Sequence, residues 1–96
     1  MFTWTEEKNQ LNKEKHGFYL YEIVDVFDDP HLIEFYDKRH STVEEERYNC
    51  LGRWQDFIIL SVVFTEEGGN IRLITARKAT PKERKIYEEN YCKETG

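Results

Sequence analysis

The stretch that decides the fold is residues 70–90, NIRLITARKATPKERKIYEEN, where the hydrophobic period switches from two to that of a helix with no loop between. Up to Lys78 the residues alternate as on a half-buried strand. Thr80, Pro81 and Glu83 then supply an N-cap, a first-turn proline and the N3 carboxylate of a capping box, which predicts a helix over residues 81 to about 92. A chain of net charge −5 therefore sets a strand bearing Arg72 and Arg77 directly against a helix start. That placement suits cations presented to an anion, because a local field need not share the sign of the whole molecule.

Upstream, the period-two pattern extends over residues 31–37, 44–52, 56–66 and 71–78, four strands with links short enough for an antiparallel meander. The EEGGN run at 66–70 has the glycines of a hairpin turn; with no lysine after it and a strand on each side, it is not a phosphate-binding loop. Ahead of the strands, Thr5 caps a polar segment that starts with Glu6 and Glu7 and ends at His16 and Gly17, the layout of a short helix. Leu20, Ile23, Val24 and Phe27 recur at helical spacing over residues 18–28, and Pro30 closes that segment. The expected architecture is α+β: two N-terminal helices, a four-stranded mainly antiparallel sheet and a C-terminal helix, in one domain over residues 1–96. Helices on one side of the sheet leave the other side for function.

Composition narrows the function classes. With 39% hydrophobic and 34% charged residues the chain has a packed core and a solvated exterior, not disorder. The longest apolar run, 57–64, is far too short to cross a bilayer, so no membrane role is expected. Residues 1–4 lack the basic start and apolar run of a secretory leader, so the expected location is cytoplasmic, with Cys50 and Cys92 as reduced thiols rather than a disulfide. Three scattered histidines and two cysteines have no metal-ligand spacing, and no cofactor or metal is expected. The acidic balance also disfavours passive coating of nucleic acid, and no stacking platform of exposed aromatics stands out.

Strict alternation assigns Ile58, Leu60, Val62, Phe64, Tyr48, Cys50, Ile74 and Ala76 to the covered side. It gathers Arg47, Asn49, Arg53, Ser61, Thr65, Leu73, Thr75 and Arg77 on the other, with His40 in the loop leading to it. Charged residues on a solvated face are ordinary, but three arginines with three hydroxyls suit an oxyanion.

Three segments then resemble one family. FTWTEEKNQLNKEKHGFYLYEIVDVFDDP carries a Phe-x-Trp start at Phe2 and Trp4, an N-x-x-K-H-G element at Asn12, Lys15, His16 and Gly17, and a closing Asp28-Asp29-Pro30. DKRHSTVEEERYNCLGR carries R-H-S at Arg39, His40 and Ser41, E-x-R at Glu45 and Arg47, and L-G-R at Leu51, Gly52 and Arg53. IRLITARKATPKERKIYEE is similar to an R-I-I-S-A-R-K-A ending, with Leu73 for isoleucine and Thr75 for serine. In that order they resemble the BrnT family of bacterial type II toxins. The resemblance implies a RelE-like fold and a metal-independent ribonuclease that inhibits translation. It also implies a small BrnA-like ribbon-helix-helix antitoxin, with promoter DNA bound only through that partner.

For RNA cleaved by its own 2′-hydroxyl, a protein needs to orient the attack, move two protons and stabilise a crowded anion. Arg77 and Arg53 are the candidate phosphate clamps with Arg47 beside them, since a guanidinium donates bidentately and stays charged. His40 is the candidate acid or base, with a solvated turn residue as the alternative, and Thr75 and Lys78 are the candidate substrate contacts. His16, beside Gly17, reads as a cation at a helix C-terminus. The competing function is a non-catalytic interaction module that binds a DNA-binding partner as co-repressor.

Overall fold

The computed structural model describes residues 1–95, with side chains through residue 93. In chain order it has β1 (Phe2–Thr3), α1 (Glu6–His16), a 3-10 helix (Leu20–Asp28), β2 (Ile33–Tyr36), β3 (Arg47–Trp54), β4 (Ile58–Glu67), β5 (Asn70–Lys78) and α2 (Pro81–Thr95). The α+β class is as expected, and β2 to β5 form the antiparallel meander. Two features correct the expectation. The sheet has five strands in the order β1-β5-β4-β3-β2, because the two-residue β1 pairs in parallel with β5. The second N-terminal helix is 3-10 rather than α, although Leu20, Ile23 and Val26 still point into the core at a three-residue spacing that its tighter winding satisfies.

The covered face is dry. Leu20, Ile23 and Val26 of the 3-10 helix pack with Phe18 onto Cys50, Leu60, Val62, Phe64, Leu73 and Ala76. Gly52 shows how close the approach is: a Cβ there would stand 2.6 Å from Leu32 Cδ1 and 2.8 Å from Val26 Cγ2. A side chain at that position would have to displace Leu32 and Val26. Cys50 lies in the same core, where burial pushes its thiol up to about 12, and both cysteines are free.

Helix α1 is held differently. Thr5 Oγ1 accepts from Lys8 N, and Gly17 closes the helix at φ 89°, a left-handed conformation that glycine adopts without strain. Its buried side chains are Asn9 and Asn12 rather than an apolar stripe. Asn9 Oδ1 accepts from Leu20 N at 2.7 Å, while Asn12 donates to Phe18 O and accepts from Ala76 N, both at 2.9 Å. The helix thereby occupies part of the β5 edge that β1 does not reach, which protects that edge from further pairing.

A bulge in β5 revises the alternation. Val63 is opposite Thr75 but Phe64 is opposite Leu73, so Ile74 is the extra residue. Leu73 thus belongs to the core, and Arg72 moves to the face that carries Thr75 and Arg77. Nor is that second face wholly open. Tyr87 of α2 packs on Leu51 and Ile59, with Tyr91 and Ile33 beside them, so the C-terminal helix covers one end. Among the described residues, no helix is long and apolar enough to cross a membrane.

Candidate active site

The strand register lays out the uncovered part of the face in rows. Ser61 stands between Leu51 and Arg77, Val63 between Asn49 and Thr75, and Thr65 between Arg47 and Arg72. Phe35 of β2 extends the middle row past Asn49. Successive rows are about 7 Å apart, which puts Arg72 and Arg77 roughly 13 Å from each other along β5. The cations therefore fall into two groups.

The first group is Arg77 with the start of α2. Its Nη1 donates to Glu83 Oε1 at 2.8 Å and its Nη2 to Glu83 Oε2 at 3.1 Å, a bidentate pair. Glu83 also serves as the N3 residue of the capping box: its Oε1 accepts from Thr80 N, and its own N–H donates to Thr80 Oγ1. The Arg77 hydrogen bonds hold the Glu83 carboxyl below its ordinary value, and reciprocally raise the guanidinium. The helix start thus aims Arg77, whose side chain keeps 39% of its surface exposed. Of its five donors, Nε–H and one Nη2–H have no partner among the described hydrogen bonds.

Glu83 is also one wall of a cavity of about 310 Å³ that contains His40, together with Phe35, Asp37, Asn49, Leu51 and Ile86. His40 Nδ1 lies 2.9 Å from Asp37 Oδ2, and Asp37 Oδ1 accepts from His40 N. Burial opposes ionisation of Asp37, but these bonds outweigh it and hold the carboxyl below its ordinary range. With the carboxylate as acceptor, the hydrogen-bond network assigns the Nδ1 proton to His40 and leaves Nε2 for another group. Ser41 fixes the loop by donating to Asp37 O at 2.6 Å and accepting from Arg47 N at 2.8 Å.

The second group sits at the other end of the face. Arg47 Nε donates to Glu45 Oε1 at 2.8 Å, and Arg72 Nη2 donates to Glu45 Oε2, so guanidinium groups from β3 and β5 meet on one carboxylate. Arg47, then burial against it, then Arg72 set the Glu45 carboxyl, with a net lowering. Arg72 Nε is buried 3.1 Å from Glu67 Oε2 but is not aligned for a hydrogen bond to it. Five glutamates surround this end, since Glu44, Glu46, Glu66 and Glu67 line the same cavity as Glu45.

Set against the expected site, the structure brings His40 into one cavity with Glu83, the partner of Arg77, and places Thr75 beside Arg77 on the same face. It does not bring Arg53 or Lys78 to that group. Arg53 sits past the α2 contact, in a cavity with Phe57, Tyr87 and Tyr91, and its backbone N–H donates to Asp29 Oδ2. Lys78 is opposite Leu60, so alternation turns it to the other face. Arg47 belongs to the second cluster. Ser61 and Thr65 are buried and spend their hydroxyls on Asn49 Oδ1 and Glu46 O. Sequence reading missed Glu83, Arg72 and Phe35 as members of this face: Glu83 read only as a cap, strict alternation across an unseen bulge set Arg72 with Ile74 and Ala76, and Phe35 was assigned to neither face. Among the described residues, no three His, Cys, Asp or Glu side chains converge so as to hold a metal ion.

The sequence model of a family described as ribonuclease toxin, BrnT, of type II toxin-antitoxin system matches residues 4–83. The crystal structure of the Brucella abortus ribonuclease toxin BrnT is similar to this one, with 25% sequence identity and a TM-score of 0.65 over 83% of this chain and 97% of that chain. No curated protein sequence matches the chain.

Proposed function

Because the chain belongs to the BrnT family of ribonuclease toxins from type II toxin-antitoxin systems, we propose that it cleaves RNA at the Arg77 end of the open face, on a RelE-like scaffold and without a metal. The observation that carries this reading is the Arg77 guanidinium, held bidentately by Glu83, whose carboxylate also lines the cavity that holds His40.

The chemistry balances with these groups. The 2′-hydroxyl oxygen forms a bond to phosphorus, its proton leaves to a base, and the bond to the 5′-oxygen breaks as that oxygen gains a proton. The products are a 2′,3′-cyclic phosphate and a 5′-hydroxyl. Arg77 neutralises the crowded oxyanion through its remaining donors. His40 Nε2 carries protons, accepting as the neutral ring or returning one as imidazolium, while Asp37 holds the ring by Nδ1. Thr75 contacts the substrate beside Arg77. Arg47 and Arg72 are tied to Glu45 among four further glutamates, so that end of the face is acidic and the RNA strand is engaged at the Arg77 end.

Translation inhibition and neutralisation by a BrnA-like ribbon-helix-helix antitoxin complete the reading, with promoter DNA reached only through the antitoxin. A cytoplasmic setting follows from that role. Incubation of the purified protein with RNA and a chelator tests the proposal. Fragments ending in cyclic phosphate are expected, reduced by at least about 100-fold in rate for His40→Ala if it is the proton carrier. Cleavage that requires a divalent ion overturns the metal-free mechanism, and no cleavage of any RNA overturns the enzyme.

The second reading is a non-catalytic co-repressor module. It draws on the pairing of Arg47, Arg72 and Arg77 with the chain's own carboxylates, which lowers the charge offered to RNA. Promoter binding with the antitoxin, in a chain inert toward RNA, is its signature.

A further inference from the structure

We infer that the cavity between His40 and Phe35 is a nucleobase subsite, in which Phe35 stacks the base next to the scissile phosphate and Asn49 donates to that base's edge. The inference rests on the reading of this face as an RNA site. Its observations are nevertheless separate from those of the arginines.

Phe35 stands on the open face opposite Asn49 and keeps 42% of its surface exposed. Ile86, across the cavity on α2, is 39% exposed. The apolar packing of α2 stops at Leu51 and Tyr87, so these two side chains border the same space without closing it. Tyr36 also lines the cavity, but its ring is engaged in a T-shaped pair with Tyr48 at a centroid distance of 5.7 Å, which leaves Phe35 as the free aromatic wall. A volume of about 310 Å³ with an aromatic wall, apolar sides and a few polar groups is of the size and composition that take a small flat ligand.

Asn49 makes the cavity selective in chemistry. Its Oδ1 already accepts from Ser61 Oγ at 3.1 Å, which fixes the amide and turns its Nδ2–H2 group into the available function. That group donates only, so it suits a base edge that offers acceptors, and it works against an edge that offers only donors. Phe35 meanwhile supplies a π-face that any base can use. His40 lines the same cavity, which puts the stacked base beside the proton carrier.

The test uses the full chain and a short 2′-O-methyl RNA, which cannot be cut by its own hydroxyl, carrying one 2-aminopurine. Binding to the wild type is expected to quench the probe, and the Asn49 side-chain amide resonances are expected to shift. Phe35→Ala should abolish the quench and weaken binding about tenfold, the size of one base–aromatic stack. Phe35→Tyr should restore both, which a merely unfolded variant cannot do. Phe57→Ala, which removes a 90% exposed ring lining a different cavity, should leave both unchanged. An equal quench in Phe35→Ala, or unmoved Asn49 resonances on binding, overturns the subsite. Quenching by a wild type that cuts no RNA keeps the subsite and removes the ribonuclease, so the two failures are distinguishable.

Discussion

The two faces of one sheet use the same alternation for opposite ends. On the covered face, Cys50, Leu60, Val62 and Phe64 meet a helix so closely that Gly52 has no room for a methyl group. On the other, polar and charged groups hold one another in place: Ser61 fixes Asn49, Glu83 aims Arg77 and Glu45 ties Arg47 to Arg72. The first arrangement stabilises by dry area and density. The second spends little on stability and keeps its groups oriented and reachable. The difference separates residues whose loss should unfold the chain from residues whose loss should silence it.

The largest expected effect on stability lies on the covered face. Leu60→Ala is expected to lower the unfolding free energy by about 2–5 kcal/mol, measured by urea titration. A loss no larger than that of an exposed residue would break the contrast. Asn12→Ala comes next: it orphans the Ala76 N–H and the Phe18 C=O, for a cost of about 2 kcal/mol. Detachment of α1 would appear as faster hydrogen exchange at Ala76.

The open face sharpens the comparison with smaller effects. The folded Glu83 carboxyl titrates below the ordinary glutamate value of 4.5. Its contribution is therefore present above that value and is lost as pH falls through the lowered folded value. Glu83→Gln is expected to flatten the acid limb of the stability profile while leaving the Leu60 contacts intact; an acid limb as steep as the wild type contradicts the pairing. Glu45→Gln should change stability by only about 0.5 kcal/mol, and less at high salt, because its partners are partly exposed. A salt-independent cost of several times that size would place Glu45 among structural residues.

Much of this was legible in the sequence where a residue type has one dominant local role. Thr80 and Glu83 announced α2, Thr5 and Gly17 bounded α1, and the alternation in β3 and β4 sorted both faces. The failures have physical causes. Leu73 and Ile74 are both apolar, so nothing in the pattern marks the bulge that turns Arg72 around. A strand of two residues, Phe2–Thr3, carries no period at all. Helix α1 is anchored by asparagine amides, which a search for apolar stripes passes over. Glu83 has two jobs, and only the capping job has a sequence signature.

The central claim is that the Arg77 end of the open face is catalytic while the fold rests on the other side. It is tested most directly by measuring RNA cleavage in chelator and urea unfolding on the same preparation of Arg77→Ala. The account predicts a rate at least about 100-fold below the wild type, with an unfolding midpoint close to it. Cleavage at the wild-type rate by the folded variant would contradict it.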